Sequence, residues 1–331
     1  DLIFNSKAKE NFKLRSRTIK EIRSFMEKKG FLEVETPTLQ PLYGGATARP
    51  FLTHLNALDM DLYLRIAPEL YLKRLVVGGF EKVFEIGKCF RNEGMDRSHN
   101  PEYTHFEFYW AYSDYKEVMK LTEEMLETVV KNIFKRTEIE YAGKKIDFKS
   151  PWPRVEFDQL LKKHTKINLG EINAEAIKKE AKKLGIKIEK GDGKPEIGDK
   201  LFKKYCQPHI WNPTFIIHHL AESKPLAKSL DADPGKSASL QLIVANWELV
   251  NAYSELNDPV LQRERFKDQE KLFKEGLQEA QRVDEDYIEA LEYGMPPAGG
   301  FGMGIDRFVA LISDSHSLRE VILFPTMRDR R

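Results

Sequence analysis

Tyr103-Thr104-His105-Phe106-Glu107-Phe108-Tyr109-Trp110-Ala111-Tyr112 is the stretch on which the reading of this chain turns. A period of two puts Phe106, Phe108 and Trp110 on one face and Tyr103, His105, Glu107 and Tyr109 on the other. One face is apolar enough to roof a core, while the other carries an acid, an imidazole and two phenols. Such a strand divides a hydrophobic layer from a chemical one. Asp114 and Glu117 follow as a capping-box pattern, before a helix whose stripe is Val118, Leu121, Met125, Val129 and Ile133. The strand therefore hands over to a long packed helix.

Toward the N-terminus, Phe12, Ile19, Ile22, Phe25 and Met26 recur at helical spacing and stop at Gly30, a left-handed closing position. Phe31 to Pro37 reads as an extended strand closed by a proline that cannot donate to a ladder. Strands are expected at Leu62 to Ile66 and Lys82 to Ile86, around a helix that Pro68 opens and Gly78-Gly79 closes. Toward the C-terminus, Leu240 to Val244 and Glu248 to Leu256 form a hairpin in which Asn246 suits a left-handed turn. Gly299 to Gly304 leads a final strand into the helix Phe308 to Ile312. Hairpins with helices outside predict an α+β fold, a mostly antiparallel sheet flanked by helices. Between these parts the texture changes to lysine-rich short helices and glycine turns, such as Ala174 to Leu184 and Lys190 to Lys194. The expected organisation is 1–137, an insertion over 138–235, and 236–331.

Composition bounds the function without naming it. The 331 residues suffice for a sizeable buried core, and 53 lysines and arginines against 52 acids leave a net charge of +1, so any basic surface is local. Cys89 and Cys206 stand far apart, which argues against a disulfide framework or a cysteine-built zinc site and for a reducing cytoplasm. No apolar run reaches the ~18 residues of a membrane span, so no membrane partner is expected. A chain that opens on Asp1 rather than Met reads as a fragment or a processed product.

Two segments carry chemistry. Gly299-Gly300-Phe301-Gly302-Met303-Gly304-Ile305-Asp306-Arg307 brings backbone close to a ligand and places an arginine one turn into a helix. It lacks the Gly-Lys-Ser/Thr ending of a P-loop and the βαβ unit of a dinucleotide fold; taken alone it reads as a tight glycine turn. Phe90-Arg91-Asn92-Glu93-Gly94, then His99-Asn100-Pro101-Glu102-Tyr103, offers a guanidinium, an imidazole and an aromatic face. Those groups suit a polyphosphate and a base, although a charged hairpin tip would look the same.

Together, and in this order, the segments resemble the three signatures of the class II aminoacyl-tRNA synthetases: Phe31 to Leu39 the first, Phe90 to Glu107 the second, Gly300 to Arg307 the third. Gly44-Gly45-Ala46-Thr47-Ala48-Arg49-Pro50-Phe51, Arg65-Ile66-Ala67-Pro68-Glu69-Leu70 and Asn251-Ala252-Tyr253-Ser254-Glu255-Leu256-Asn257-Asp258 are similar to blocks of the lysyl-tRNA synthetases. The resemblance is strong over 1–137 and 213–328. It implies a catalytic core that joins lysine to AMP from ATP and passes it to the acceptor end of tRNA(Lys), as a homodimer with ATP and Mg2+.

By the same resemblance, Arg91 would hold the α-phosphate and the lysine carboxylate, and Arg307 the γ-phosphate. Tyr103 would stack on adenine, with Glu93 and His99 lining the nucleotide. Glu248 would bind magnesium beside Asn251, with Gln241 as a possible further ligand. Glu255 would neutralise the lysine side-chain ammonium, because a buried charge is very costly without a partner. Glu69 and the Gly45 backbone would take the α-amino end, with Glu107, Tyr109 and Tyr253 completing the pocket. Gln241 departs from the family pattern, in which a second acidic magnesium ligand is usual. Ser98, His105, His218, Ser239 and Asn246 depart from it too. Full-length members carry an N-terminal OB-fold that reads the anticodon, so lysine activation with weak tRNA charging is expected of this stretch. Two alternatives use the same residues: a paralogue that attaches lysine or an analogue to a protein such as elongation factor P, and a catalytically silent dimeric binding protein.

Overall fold

The computed structural model describes residues 2–189, 191–274 and 281–327. Lys190, where one expected glycine turn begins, lies outside them, as do Asp1 and 328–331 at the ends of the expected organisation.

Eight strands form the main sheet, in the order Leu32–Glu33, Lys82–Phe90, Glu102–Ala111, Ala298–Gly304, Trp247–Ser254, Ser239–Val244, Thr214–Ile217 and Arg154–Glu156. Neighbours are antiparallel except at the two edges, where Leu32–Glu33 and Arg154–Glu156 pair in parallel. The expected first strand is short: only Leu32 and Glu33 pair along it, and the chain then runs on to Pro37, which has no N–H to offer a ladder. The stretch 138–235 contributes two strands of this same sheet, so the sheet is continuous with it.

The strand Glu102–Ala111 alternates as its sequence requires. Phe106 and Phe108 are fully buried on one face, where Phe108 stacks on Phe301 at 4.6 Å. Three helices cover that face, Ser6–Lys28, Tyr115–Phe134 and Ile305–Ile312. The middle one opens with the anticipated capping box of Asp114 and Glu117. The first is capped by the Asn5 side chain and ends at Gly30, whose φ is 80°. The hairpin between Ser239–Val244 and Trp247–Ser254 turns through Ala245 and Asn246 at φ 45° and 69°, the pair of left-handed residues that a tight two-residue turn needs.

A second apolar cluster lies beyond the far edge. Phe157, Leu161, Ile177, Ile197, Leu201 and Phe202, from the helices Phe157–Thr165, Ala174–Lys183 and Lys194–Tyr205, pack there against Ile216 and Ile243. At the near end the helix Glu69–Val77 lies against Glu285–Glu292, and Tyr287 of the latter and Phe266 of the helix Pro259–Lys274 are wholly buried in the same apolar cluster. Among the described residues no helix is long and apolar enough to cross a membrane.

Candidate functional site

The open face of the sheet floors a cleft of about 330 Å³. Its floor is Ala298–Gly304, and here the structure corrects the sequence reading. The glycines form no tight turn; they are an extended strand paired on both sides, and none has a positive φ. Glycine is required for space instead. A Cβ on Gly300 would overlap the Glu255 carboxylate and come within 2.7 Å of Tyr109, and one on Gly302 would lie 3.1 Å from His105.

Gly45, Glu69, Arg91, Glu93, His99, Tyr103, Glu107, Tyr109, Glu248, Asn251, Tyr253, Glu255 and Arg307 all line this cleft. Gln241 does not; it borders a neighbouring cavity of about 230 Å³. Strand alternation explains Glu107 and Tyr109, but Glu248 and Asn251 are three residues apart. The ladder slips between Leu242 and Ile243, whose partners are Val250 and Glu248. Leu249 is the extra residue of this bulge, and it brings both side chains to the same side.

At one end the cleft is cationic. Arg91 leaves the strand Lys82–Phe90 with its guanidinium 5.2 Å from the Tyr103 ring, and its buried Nε has no partner among the described residues. Arg307, in the first turn of its helix, donates to the Glu248 carbonyl at 3.0 Å and lies 3.2 Å from His99 Nε2. The neighbouring Asp306 ties that turn to Arg15 at 2.5 Å and to the Thr104 N–H at 3.0 Å, which fixes the arginine against the first helix and the central strand. Asp96 steadies the loop: burial works against its charge, but hydrogen bonds from His99 and Ser98 hold its carboxyl down at about 2.

At the other end the cleft is acidic and closed. Glu69 accepts from Lys73 at 2.6 Å and from the Tyr253 hydroxyl at 2.7 Å. Lys73 is fully buried and also pairs with Glu255. Burial disfavours its charge, yet Glu255 and Glu69 more than offset that and keep it an ammonium. Burial pushes the Glu255 carboxyl well up, Lys73 opposes this, and Glu69 and Glu107 add to it. Glu107 is held by His105 at 3.0 Å and by the Tyr109 hydroxyl at 3.2 Å. Gly45 passes so close to Glu69 that a Cβ there would stand 2.7 Å from the Glu69 Cβ, and its φ is 83°.

Two lysines that sequence reasoning passed over belong to this site. Lys73 had a signal, its spacing of four from Glu69 on one helical face. Lys224 had none. It follows the turn Ala221–Ser223, lines both cavities, and donates to Asn251 Oδ1 at 2.9 Å.

The donor set around Glu248 can be tested against a magnesium ion, which demands oxygen ligands in near-octahedral array. The Gln241 carbonyl accepts from His219 Nε2 at 3.0 Å and its NH2 donates to Glu248 at 3.3 Å, the orientation a carboxylate requires. The Asn251 oxygen is taken by the Lys224 ammonium. Among the described residues no group of three or more His, Cys, Asp or Glu side chains is placed to hold a metal. As placed, these residues do not grip a metal between two protein ligands, because Gln241 turns a donor to Glu248.

An antiparallel sheet with a glycine floor, arginines at one end of its cleft and carboxylates at the other is the architecture of a class II aminoacyl-tRNA synthetase. The chain belongs to the tRNA synthetases class II (D, K and N), whose family model matches residues 1–328. It is 50% identical to a lysine–tRNA ligase of Pelotomaculum thermopropionicum over 333 aligned positions, covering all of this chain and 66% of that protein. Lysine–tRNA ligases of Carboxydothermus hydrogenoformans, 50% identical, and Chloroflexus aurantiacus, 48% identical, are covered to 68% and 67% by the whole of this chain. The chain thus spans about two thirds of the length of the curated relatives it matches.

Proposed function

We propose that this chain activates lysine with ATP and transfers the lysyl group to tRNA. The observation that carries the choice of amino acid is the charge balance of the closed end. Glu69, Glu107 and Glu255 line this end with one internal ammonium, Lys73, which pairs with Glu69 and Glu255, so acids outnumber the cation while burial pushes the Glu69 and Glu255 carboxyls up. Burying uncompensated charge is costly, and lysine brings two ammonium groups on one chain. Its side-chain end would approach Glu255 and Tyr109 and its α-amino end Glu69 and the Gly45 backbone, with Tyr253 and Glu107 between. The carboxylate would then face Arg91.

The lysine carboxylate attacks the α-phosphorus in line, and the bond from that phosphorus to the bridging oxygen breaks, releasing pyrophosphate. A ribose hydroxyl at the tRNA acceptor end then attacks the lysyl carbonyl and AMP leaves. No side chain is acylated; the work is positioning and cationic stabilisation by Arg91 and Arg307, with Tyr103 under the adenine and Glu93 and His99 beside it. The family implies that ATP arrives with Mg2+, and Glu248, which lines the phosphate end, is the carboxylate that would meet it. The protein would act in the cytoplasm as a homodimer, through the helix Ser6–Lys28 and the edge beyond Phe31.

Lysine-dependent exchange of labelled pyrophosphate into ATP tests this reading. Exchange with lysine and none with arginine or leucine is expected. Lysine binding without any exchange would favour the silent binding protein, and charging of a protein instead of tRNA would favour the paralogue.

A further inference from the structure

Lys224 has no part in the reading above, yet it stands where the chemistry ends. Its amine reaches the wall between the cleft and the neighbouring cavity and hydrogen-bonds Asn251; burial pulls its basicity below the ordinary lysine value, and Glu248 is the foremost acid opposing that. Arg307 grips the same strand three residues away, at the Glu248 carbonyl. Two cations of the protein therefore flank the segment 248–251, one bound to its backbone and one to its side chain.

In a site built around a divalent ion, the side chains of 241, 248 and 251 would turn oxygens inward. Here the Gln241 NH2 satisfies Glu248 and Lys224 satisfies Asn251, so the charge that an ion would supply is supplied by the chain. Gln241 and Lys224 make one arrangement: the neutral amide removes an acid that would attract an ion, and the ammonium fills the position.

We propose that Lys224 is the cation that meets the departing pyrophosphate, in the place of a divalent ion anchored between residues 241 and 248. The inference rests on the adenylate-forming reading. As the lysine carboxylate oxygen bonds to the α-phosphorus, the electron pair of the broken bond stays on the bridging oxygen of pyrophosphate. Lys224 neutralises the charge that gathers there and transfers no proton.

The test counts Mn2+ ions by electron paramagnetic resonance on the full chain with a non-hydrolysable ATP analogue, for the wild type and for Lys224→Ser combined with Gln241→Glu. The double variant should bind an additional tight Mn2+ per site. Beside it, Lys224→Met should slow pyrophosphate exchange about 10²-fold in kcat while the lysine KM moves less than about threefold, and Lys224→Arg should keep most of the rate. Thermal melts of each variant separate these outcomes from unfolding. An unchanged Mn2+ count in a folded double variant, or an unchanged kcat in Lys224→Met, overturns the proposal. Should the wild type show no lysine-dependent exchange, the proposed function falls and the pyrophosphate role with it, while the Mn2+ count still decides whether Lys224 and Gln241 exclude an ion.

Discussion

The two ends of the cleft solve opposite electrostatic problems. At the closed end the protein has already matched its buried acids in part: Lys73 lies between Glu69 and Glu255, Tyr253 donates to Glu69 and Tyr109 to Glu107. At the open end Arg307 and Lys224 spend hydrogen bonds on neutral groups, the Glu248 carbonyl and the Asn251 amide, and the Arg91 Nε has no partner among the described residues. A ligand there replaces weak partners with phosphates and gains nearly the full charge-assisted bond. A ligand at the closed end must fit the deficit left by Lys73. On the proposed function, the first end would supply selectivity and the second rate.

Removing Lys73 attacks that contrast most directly. Lys73→Met leaves two buried carboxylates facing each other and should cost about 5 kcal/mol of stability, read from urea unfolding midpoints. Adding Glu255→Gln should return part of the loss; strict additivity of the two changes would show that the pair is not coupled.

Glu255→Gln alone should lower kcat/KM for lysine by about 3 kcal/mol, or roughly two decades, with the ATP KM little altered. Near-normal lysine dependence in a folded variant would move the ammonium site elsewhere in the acidic end. Arg91→Lys probes the other end. Loss of the planar two-pronged donor should reduce exchange about 10²-fold with stability unchanged, and a raised lysine KM with kcat unchanged would mean that Arg91 serves binding alone.

The smallest effect concerns Asp96. Its carboxyl is held down at about 2, below the ordinary value near about 4, so its contribution to stability is present above pH ~4 and fades as pH falls toward 2. Because the group is mostly exposed, solvent screening leaves less than about 1 kcal/mol. The stability difference between wild type and Asp96→Asn should be seen at neutral pH and close below pH ~4; a difference that persists at pH 2 would have another origin.

Much of the platform was legible because it is local. Alternation through Tyr103–Tyr112 sorted the core residues from Glu107 and Tyr109, and the capping pair at Asp114 and Glu117 marked the next helix. The glycine run was misread because its constraint is not local. Gly300 and Gly302 are extended, and what excludes a side chain is Glu255, Tyr109 and His105 from neighbouring strands. Lys224 escaped for the same reason: in a lysine-rich stretch nothing nearby in sequence distinguishes the one ammonium that the fold carries to Asn251. The bulge at Leu249 shifts Glu248 out of the simple period, and only the ladder reveals it.

A floor made of main chain also limits how such a site can change. At Gly300 any side chain collides with the Glu255 carboxylate, so the floor admits no gradual substitution. A new amino-acid preference must therefore be written in the walls, at Glu69, Glu107, Tyr109, Tyr253 and Glu255. Four of those positions, Glu69, Tyr109, Tyr253 and Glu255, surround one buried ammonium, and a single replacement leaves the others miscounted. Selection for a different substrate has to move several of them together, which makes this pocket slow to drift and, in the laboratory, a target for simultaneous rather than stepwise libraries.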